Sequence, residues 1–123
     1  MPHKILIVDD HEPLRRRIRS LLEREGLVVC GEAADGREAI QKVKDLAPDL
    51  AILDISMPIM NGLEALPEML QAAPGIKVVI FTIDNAEELR RQAFRLGAHG
   101  YVVKSGPPHD LLAEVNRLLA EKV

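Results

Sequence analysis

Five short apolar runs alternate with amphipathic segments along this chain, and that alternation leaves few folds open. The runs are KILIV (4–8), LVVC (27–30), LAIL (50–53), VVIFT (78–82) and YVVK (101–104). All are rich in Val, Ile and Leu and lack polar alternation, the pattern of strands covered on both faces and hence of a parallel sheet. Between them apolar residues return at helical spacing. Leu14, Ile18, Leu21 and Leu22 define a first helix, with Pro13 suited to its first turn and Gly26 to its stop. Ala39, Ile40 and Val43 mark a second, ending before Pro48. Leu63, Leu66, Met69 and Leu70 mark a third. Pro67 lies inside it, and its missing N–H should distort that helix or delay its regular part. Asn85 followed by Glu88 predicts a capping box opening a fourth, with Leu89, Ala93 and Leu96 inside and Gly97 after. Leu111, Leu112, Val115, Leu118 and Leu119 make the fifth.

Strict βα alternation implies right-handed crossovers with helices on both sheet faces. The expected fold is therefore α/β: a flavodoxin-like three-layer sandwich with a five-stranded parallel sheet of order 2-1-3-4-5 and five helices. At 123 residues the length fits one domain, taken as 1–123. Ligands of such sheets bind beyond the carboxyl ends of the strands, beside the switch point, here between strands one and three.

Composition removes several function classes. There is no run of roughly 18 apolar residues, so no membrane span is expected. The opening MPHKILIVDD lacks a signal-peptide pattern, and the single cysteine, Cys30, excludes an internal disulfide framework. Both point to the cytoplasm. A net charge of −3, with two Phe, one Tyr and no Trp, argues against direct nucleic-acid binding.

The strand ends carry the chemistry. Strand one ends in Asp9-Asp10, strand three in Asp54, strand four in Thr82 and strand five in Lys104. Strands one and three would be neighbours, roughly 4.8 Å apart, so three carboxylates crowd one pocket. Like charges at close range are unfavourable, and a hard divalent cation with oxygen ligands resolves them; magnesium fits, because it takes few carboxylates and keeps phosphate oxygens. A lysine and a hydroxyl beside such a site would bind a phosphoryl group, with Asp54 as the attacking nucleophile. Each residue alone has a simpler explanation. Asp10 could be a helix N-cap, Thr82 a β-branched strand residue and Lys104 a solvated strand end. Four βα junctions carrying the required chemistry together outweigh those separate accounts.

In ILIVDDH (5–11), LDISMPIMNG (53–62), VVIFT (78–82) and GAHGYVVK (97–104) the chain resembles the receiver domains of two-component response regulators. The resemblance runs from about residue 3 to 121. It implies that Asp54 is phosphorylated by a histidine kinase or a histidine phosphotransfer protein. It also implies that Asp9, Asp10 and Asp54 hold Mg2+ with the backbone carbonyl of Ser56, and that Thr82 and Lys104 bind the phosphoryl oxygens. Tyr101 resembles an aromatic switch residue that moves inward as Thr82 turns to the phosphate. DDHEPLRRRIRSLL and GLEALPEML are similar to the NarL/FixJ type, whose receivers usually precede a DNA-binding helix-turn-helix. The end of the chain, about two residues past the fifth helix, leaves room for a stand-alone receiver or a piece of a longer regulator, and the likeness favours the piece.

Other features divide between plain and functional readings. Arg15, Arg16, Arg17 and Arg19 cover the outward arc of the first helix, as a solvated face or as a kinase-docking patch. Phe94 lies about 140° from Leu89 around the fourth helix, as a partner or homodimer surface or as filling at the helix edge. His3, His11, His99 and His109 lack metal-ligand spacing and read as structural or exposed. Ser56 and Asp84, two places past Asp54 and Thr82, flank the pocket and should tune phosphate lifetime. Ser105 stands where the family usually has proline, and SGPP (105–108) shifts the prolines onward. The expectation here is a cis Lys104–Ser105 bond that turns the lysine into the pocket, despite a cost of about 2.5–4 kcal/mol.

Two rival classes remain. A small Mg-dependent aspartyl-phosphate phosphatase would share the nucleophile, but normally wants a second acid where Ser56 stands. A flavodoxin-like cofactor binder would need Gly, Ser or Thr donors after strand one, where this chain has acids.

Overall fold

The computed structural model describes residues 2–121. In chain order its elements are β1 (Lys4–Val8), α1 (Glu12–Arg24), β2 (Val28–Ala33), α2 (Gly36–Leu46), β3 (Leu50–Leu53), α3 (Gly62–Ala72), β4 (Lys77–Thr82), α4 (Glu87–Arg95), β5 (Gly100–Val103) and α5 (Pro108–Ala120). The strands form one parallel sheet of order β2-β1-β3-β4-β5, the flavodoxin-like order expected from the alternation.

Side-chain alternation splits the core in two. Leu6, Val8, Ala51, Leu53, Val78 and Ile80 point to the face covered by α2, α3 and α4. Ile5, Ile7, Leu50, Ile52 and Val79 point to the face covered by α1 and α5. Both faces of the three central strands are buried, which is why their sequences show no polar alternation. The edge strands differ: β2 and β5 are only partly covered, so the expectation of five doubly buried strands holds for the middle three. Each fully buried Leu or Ile contributes about 1.5–3 kcal/mol, and this apolar centre fixes the strand ends rigidly.

Helix ends follow local chemistry, with two corrections. Pro13 sits in the first turn of α1, and Gly26 follows that helix at φ +79°. The predicted Asn85–Glu88 box does not form. α4 begins with Ala86 as N-cap, and the Asp84 carboxylate accepts from the Ala86 N–H at 2.9 Å. The capping box opens α3 instead: Asn61 Oδ1 accepts from the Glu64 N–H at 2.9 Å, and Glu64 Oε1 accepts from the Asn61 N–H at 3.0 Å. Nor does Pro67 delay its helix, since α3 starts at Gly62 and runs through it, anchored by that box and by buried Leu66 and Met69.

Candidate functional site

Register places the polar residues before any side chain is considered. Val8 pairs with Leu53, Leu53 with Ile80, and Thr82 with Val103. Asp9 and Asp54 therefore leave adjacent strands at one level, and Lys104 follows β5 directly, its N–H donating to the Thr82 carbonyl at 2.7 Å. Asp9 is 2% exposed, Asp54 6% and Thr82 1%; these three are the buried polar residues of the described chain.

One carboxylate oxygen each from Asp9, Asp10 and Asp54 lies within 4.8 Å of the others. Lys104 is the cation facing them, with Nζ 2.7 Å from Asp9 Oδ2 and 3.4 Å from Asp54 Oδ2. Burial, and next the Asp9 charge, push the Asp54 carboxyl above the ordinary carboxylate range, against the pull of Lys104. Three acids against one lysine leave negative charge uncompensated. Two of the carboxylates are buried and the third, Asp10, is exposed, so the cluster opens to solvent. Clustered oxygen donors with one open side fit a hard divalent cation that keeps water or phosphate oxygens, so the donor set agrees with magnesium. Ser56, the fourth expected ligand, lies exposed on the loop two residues beyond Asp54.

Backbone geometry explains the wording of that loop. The Gly62 N–H donates to the Ile55 carbonyl at 2.8 Å, and a Cβ on Gly62 would sit 2.0 Å from the Asp54 carbonyl oxygen. No other residue fits there. Gly36 closes on the same loop, donating to the Met60 carbonyl at 2.8 Å, where a Cβ would meet that oxygen at 2.7 Å. Between them the Met60 N–H reaches back to the Pro58 carbonyl at 2.7 Å, with Ile59 at φ +68°. A β-branched residue in that region is strained, and such strain clusters at functional loops. The Met-Pro-x-Met-Asn-Gly wording signals a turn shaped by Pro58 and Gly62, but the positive φ at Ile59 leaves no sign in the sequence, because isoleucine does not favour it.

On the other flank, a chain of contacts runs from Thr82 to Tyr101. The Asp84 N–H donates to Thr82 Oγ1 at 3.3 Å, and the Tyr101 hydroxyl donates to the Asp84 carbonyl at 2.7 Å. Tyr101 is buried, with Arg90 5.8 Å from its ring centroid and 5.4 Å from that of half-exposed Phe94.

The Lys104–Ser105 bond is trans, as are all peptide bonds among the described residues, which corrects the expected cis link. The Gly106 N–H donates to the Val103 carbonyl at 3.1 Å, closing a tight turn over Lys104 and Ser105. That turn aims the lysine without a cis bond, and Pro107 and Pro108 then start α5. The arginine group also divides. Arg16 and Arg17 are exposed, but Arg15 Nε and Arg19 NH2 lie 2.8 and 2.7 Å from the two Glu32 carboxylate oxygens on β2. Burial raises the Glu32 carboxyl, yet Arg19 and Arg15 together hold it below the ordinary range. Of the histidines, His99 is structural, its Nδ1 accepting from the Val78 N–H at 3.0 Å.

No helix among the described residues is long and apolar enough to cross a membrane. A family model for the response regulator receiver domain matches residues 5–116. The chain is 33% identical over 118 residues to the chemotaxis protein CheY of Thermotoga maritima, covering 96% of this chain and 98% of that one. It is 38% identical over 120 residues to the nitrate/nitrite response regulator protein NarL of Escherichia coli, covering 97% of this chain and 56% of that protein. It thus spans nearly all of the first relative and about half of the second. The CheX-CheY-BeF3-Mg complex from Borrelia burgdorferi matches with a TM-score of 0.92 at 28% identity, covering 97% of this chain and 90% of that one.

Proposed function

This chain belongs to the response regulator receiver domain family, and from that footing we propose that it is the phosphoacceptor of a two-component phosphorelay. Asp54 takes the phosphoryl group from a histidine kinase or a histidine phosphotransfer protein. The observation that carries this reading is the buried, crowded Asp54 carboxylate with Lys104 Nζ 3.4 Å away. An Asp54 oxygen attacks the phosphorus, the P–O bond forms as the P–N bond breaks, and the electron pair leaves with the donor imidazole nitrogen.

Asp9, Asp10, Asp54 and the Ser56 carbonyl would hold Mg2+, which when bound offsets the charge of the carboxylates and of the phosphoryl oxygens. Lys104, now shared between Asp9 and Asp54, binds one phosphoryl oxygen, and the Thr82 hydroxyl binds another. Turning Thr82 toward that oxygen releases the Asp84 N–H, and Asp84 already carries Tyr101 on its carbonyl. Thr82 and Tyr101 thus form the switch, and its shift is limited by how much better one state binds the phosphoryl group. The chemistry ends with transfer to Asp54 and its later hydrolysis, without turnover of outside substrates.

Donor docking falls to a groove of about 580 Å³ between α1 and the β5–α5 connection, lined by Leu14, Arg16, Arg17, Leu21, Phe81 and Lys104 among others. Its arginine rim suits an acidic partner, and its floor leads to Lys104. On the far side, Phe94 and Arg90 on α4 offer a face for an output partner or a homodimer. A Pseudomonas aeruginosa relative described as a putative transcriptional regulator favours transcription control as the output, with residues 1–123 acting as the receiver in the cytoplasm and not themselves binding nucleic acid.

Incubation with acetyl phosphate and Mg2+ should give one acid-stable, base-labile label on Asp54. An Asp54→Asn protein that still labels at the wild-type level contradicts the reading.

A further inference from the structure

Asp9 has a backbone problem that its side chain hides. It follows the last residue of β1, and its N–H donates to the Ala33 carbonyl at 3.0 Å. Its carboxylate is tied at both oxygens, by the His11 N–H at 2.9 Å and by Lys104 Nζ at 2.7 Å. Its carbonyl has left the ladder, because the chain turns there into α1. A buried carbonyl needs a donor. Arg15 supplies one, with NH1 2.6 Å from the Asp9 oxygen.

The guanidinium making that bond is fixed from behind. Arg15 Nε donates to Glu32 Oε1 at 2.8 Å, and its side chain is 14% exposed. Arg19, one turn further along α1, holds the other Glu32 oxygen through Nε at 2.9 Å and NH2 at 2.7 Å. β2 thus anchors Glu32, Glu32 anchors Arg15, and Arg15 anchors the carbonyl between the two acids of the cluster. Asp10 follows directly on that carbonyl, so the orientation of its peptide decides where the exposed Asp10 carboxylate points.

We infer that Arg15 is a positioning residue for the Asp9–Asp10 pair, holding the two carboxylates in the geometry that a divalent cation requires. This rests on the phosphoacceptor reading for its purpose, and on the observed contacts for its substance. The sign of its effect separates it from simple electrostatics. A guanidinium 2.6 Å from the Asp9 carbonyl brings positive charge near the acidic cluster and repels a divalent cation, so removing its charge alone should tighten metal binding. Removing a positioning group should loosen it.

The test compares Mg2+ affinity by calorimetry in wild type, Arg15→Ala, Arg15→Lys and Arg19→Ala. Arg19→Ala is the control, since it removes the same charge and one Glu32 partner without touching Asp9. Arg15→Ala should weaken Mg2+ roughly tenfold, the low end for groups that orient ligands from behind. Arg15→Lys should recover part of that loss, because an ammonium can reach one of the two partners. Arg19→Ala should change affinity less than about twofold. In parallel, NMR hydrogen exchange at the His11 amide, which donates to Asp9, should quicken several-fold in Arg15→Ala and not in Arg19→Ala. Mg2+ affinity that is unchanged or higher in Arg15→Ala overturns the proposal. If Arg15→Ala does not fold, unchanged affinity in Arg15→Met, which keeps the aliphatic stem but has no donor for the Asp9 carbonyl, overturns it equally. A wild-type protein that binds no Mg2+ would defeat the functional reading instead, and His11 exchange would still decide whether Arg15 holds the loop.

Discussion

At the amino end of β3, Asp49 accepts from the Lys4 N–H at 2.8 Å, while Lys4 Nζ donates to the Leu46 carbonyl at 2.7 Å. The Asp49 backbone continues the ladder, donating to the Lys4 carbonyl at 2.8 Å and accepting from the Lys77 N–H at 3.0 Å. Four residues of strand later stands Asp54, buried, beside two further acids and one lysine. The same residue type on the same strand thus completes a hydrogen-bond pattern at one end and adds to a charge surplus at the other. Position relative to the sheet decides which. Structural polar groups are matched in number; a group held ready for a ligand leaves a remainder.

The sharpest way to break this contrast is to remove one group from each end. Lys104→Ala should slow phosphoryl uptake from acetyl phosphate by roughly 10²–10³-fold, the usual loss for one charge-stabilising group in a preorganised site. Asp49→Ala should leave that rate unaltered and lower stability in urea by about 1 kcal/mol, for the lost hydrogen bond. Equal damage to uptake from both variants would erase the distinction.

Asp10 sharpens it further. It is the exposed member of the acidic cluster, so Asp10→Ala should fold normally while weakening Mg2+ roughly tenfold or more by calorimetry. Unchanged affinity would remove Asp10 from the ligand set.

The smallest effect belongs to the amino end. Burial, and then the Lys77 charge, hold His99 below its ordinary value. Its folded pKa is therefore lower than its unfolded one, so its contribution to stability is present above about pH 6.5 and is lost as the pH falls below that value. Between neutral and mildly acid pH, wild type should lose urea resistance more steeply than His99→Asn, whose amide oxygen can still accept from Val78. Parallel curves would show that His99 stays out of acid unfolding.

The fold was legible because burial on both faces writes itself into β1, β3 and β4 as unbroken apolar runs. The acidic cluster was legible for a related reason: an apolar strand ending on an acid at a switch point has few structural excuses. Local capping was harder to read. Asn61-x-x-Glu64 and Asn85-x-x-Glu88 share one pattern, and only the first is used, because Asp84 takes over the start of α4. The role of Arg15 was hidden among four arginines, since Glu32 lies on another element and nothing local separates Arg15 from Arg16. Lys104–Ser105 failed for a different reason: the demand that a lysine face the pocket says nothing about which turn delivers it, and an ordinary turn closed by Gly106 suffices.

The most direct test of the charge remainder at the carboxyl end of β3 is a crystal structure of the protein soaked with Mg2+ and beryllium fluoride. The predicted result is beryllium bonded to an Asp54 carboxylate oxygen, the cation on Asp9 and Asp10, and Lys104 Nζ moved from Asp9 to a fluorine, with the Thr82 hydroxyl on another. Beryllium fluoride bound away from Asp54, or bound there with Lys104 still paired to Asp9, would contradict it.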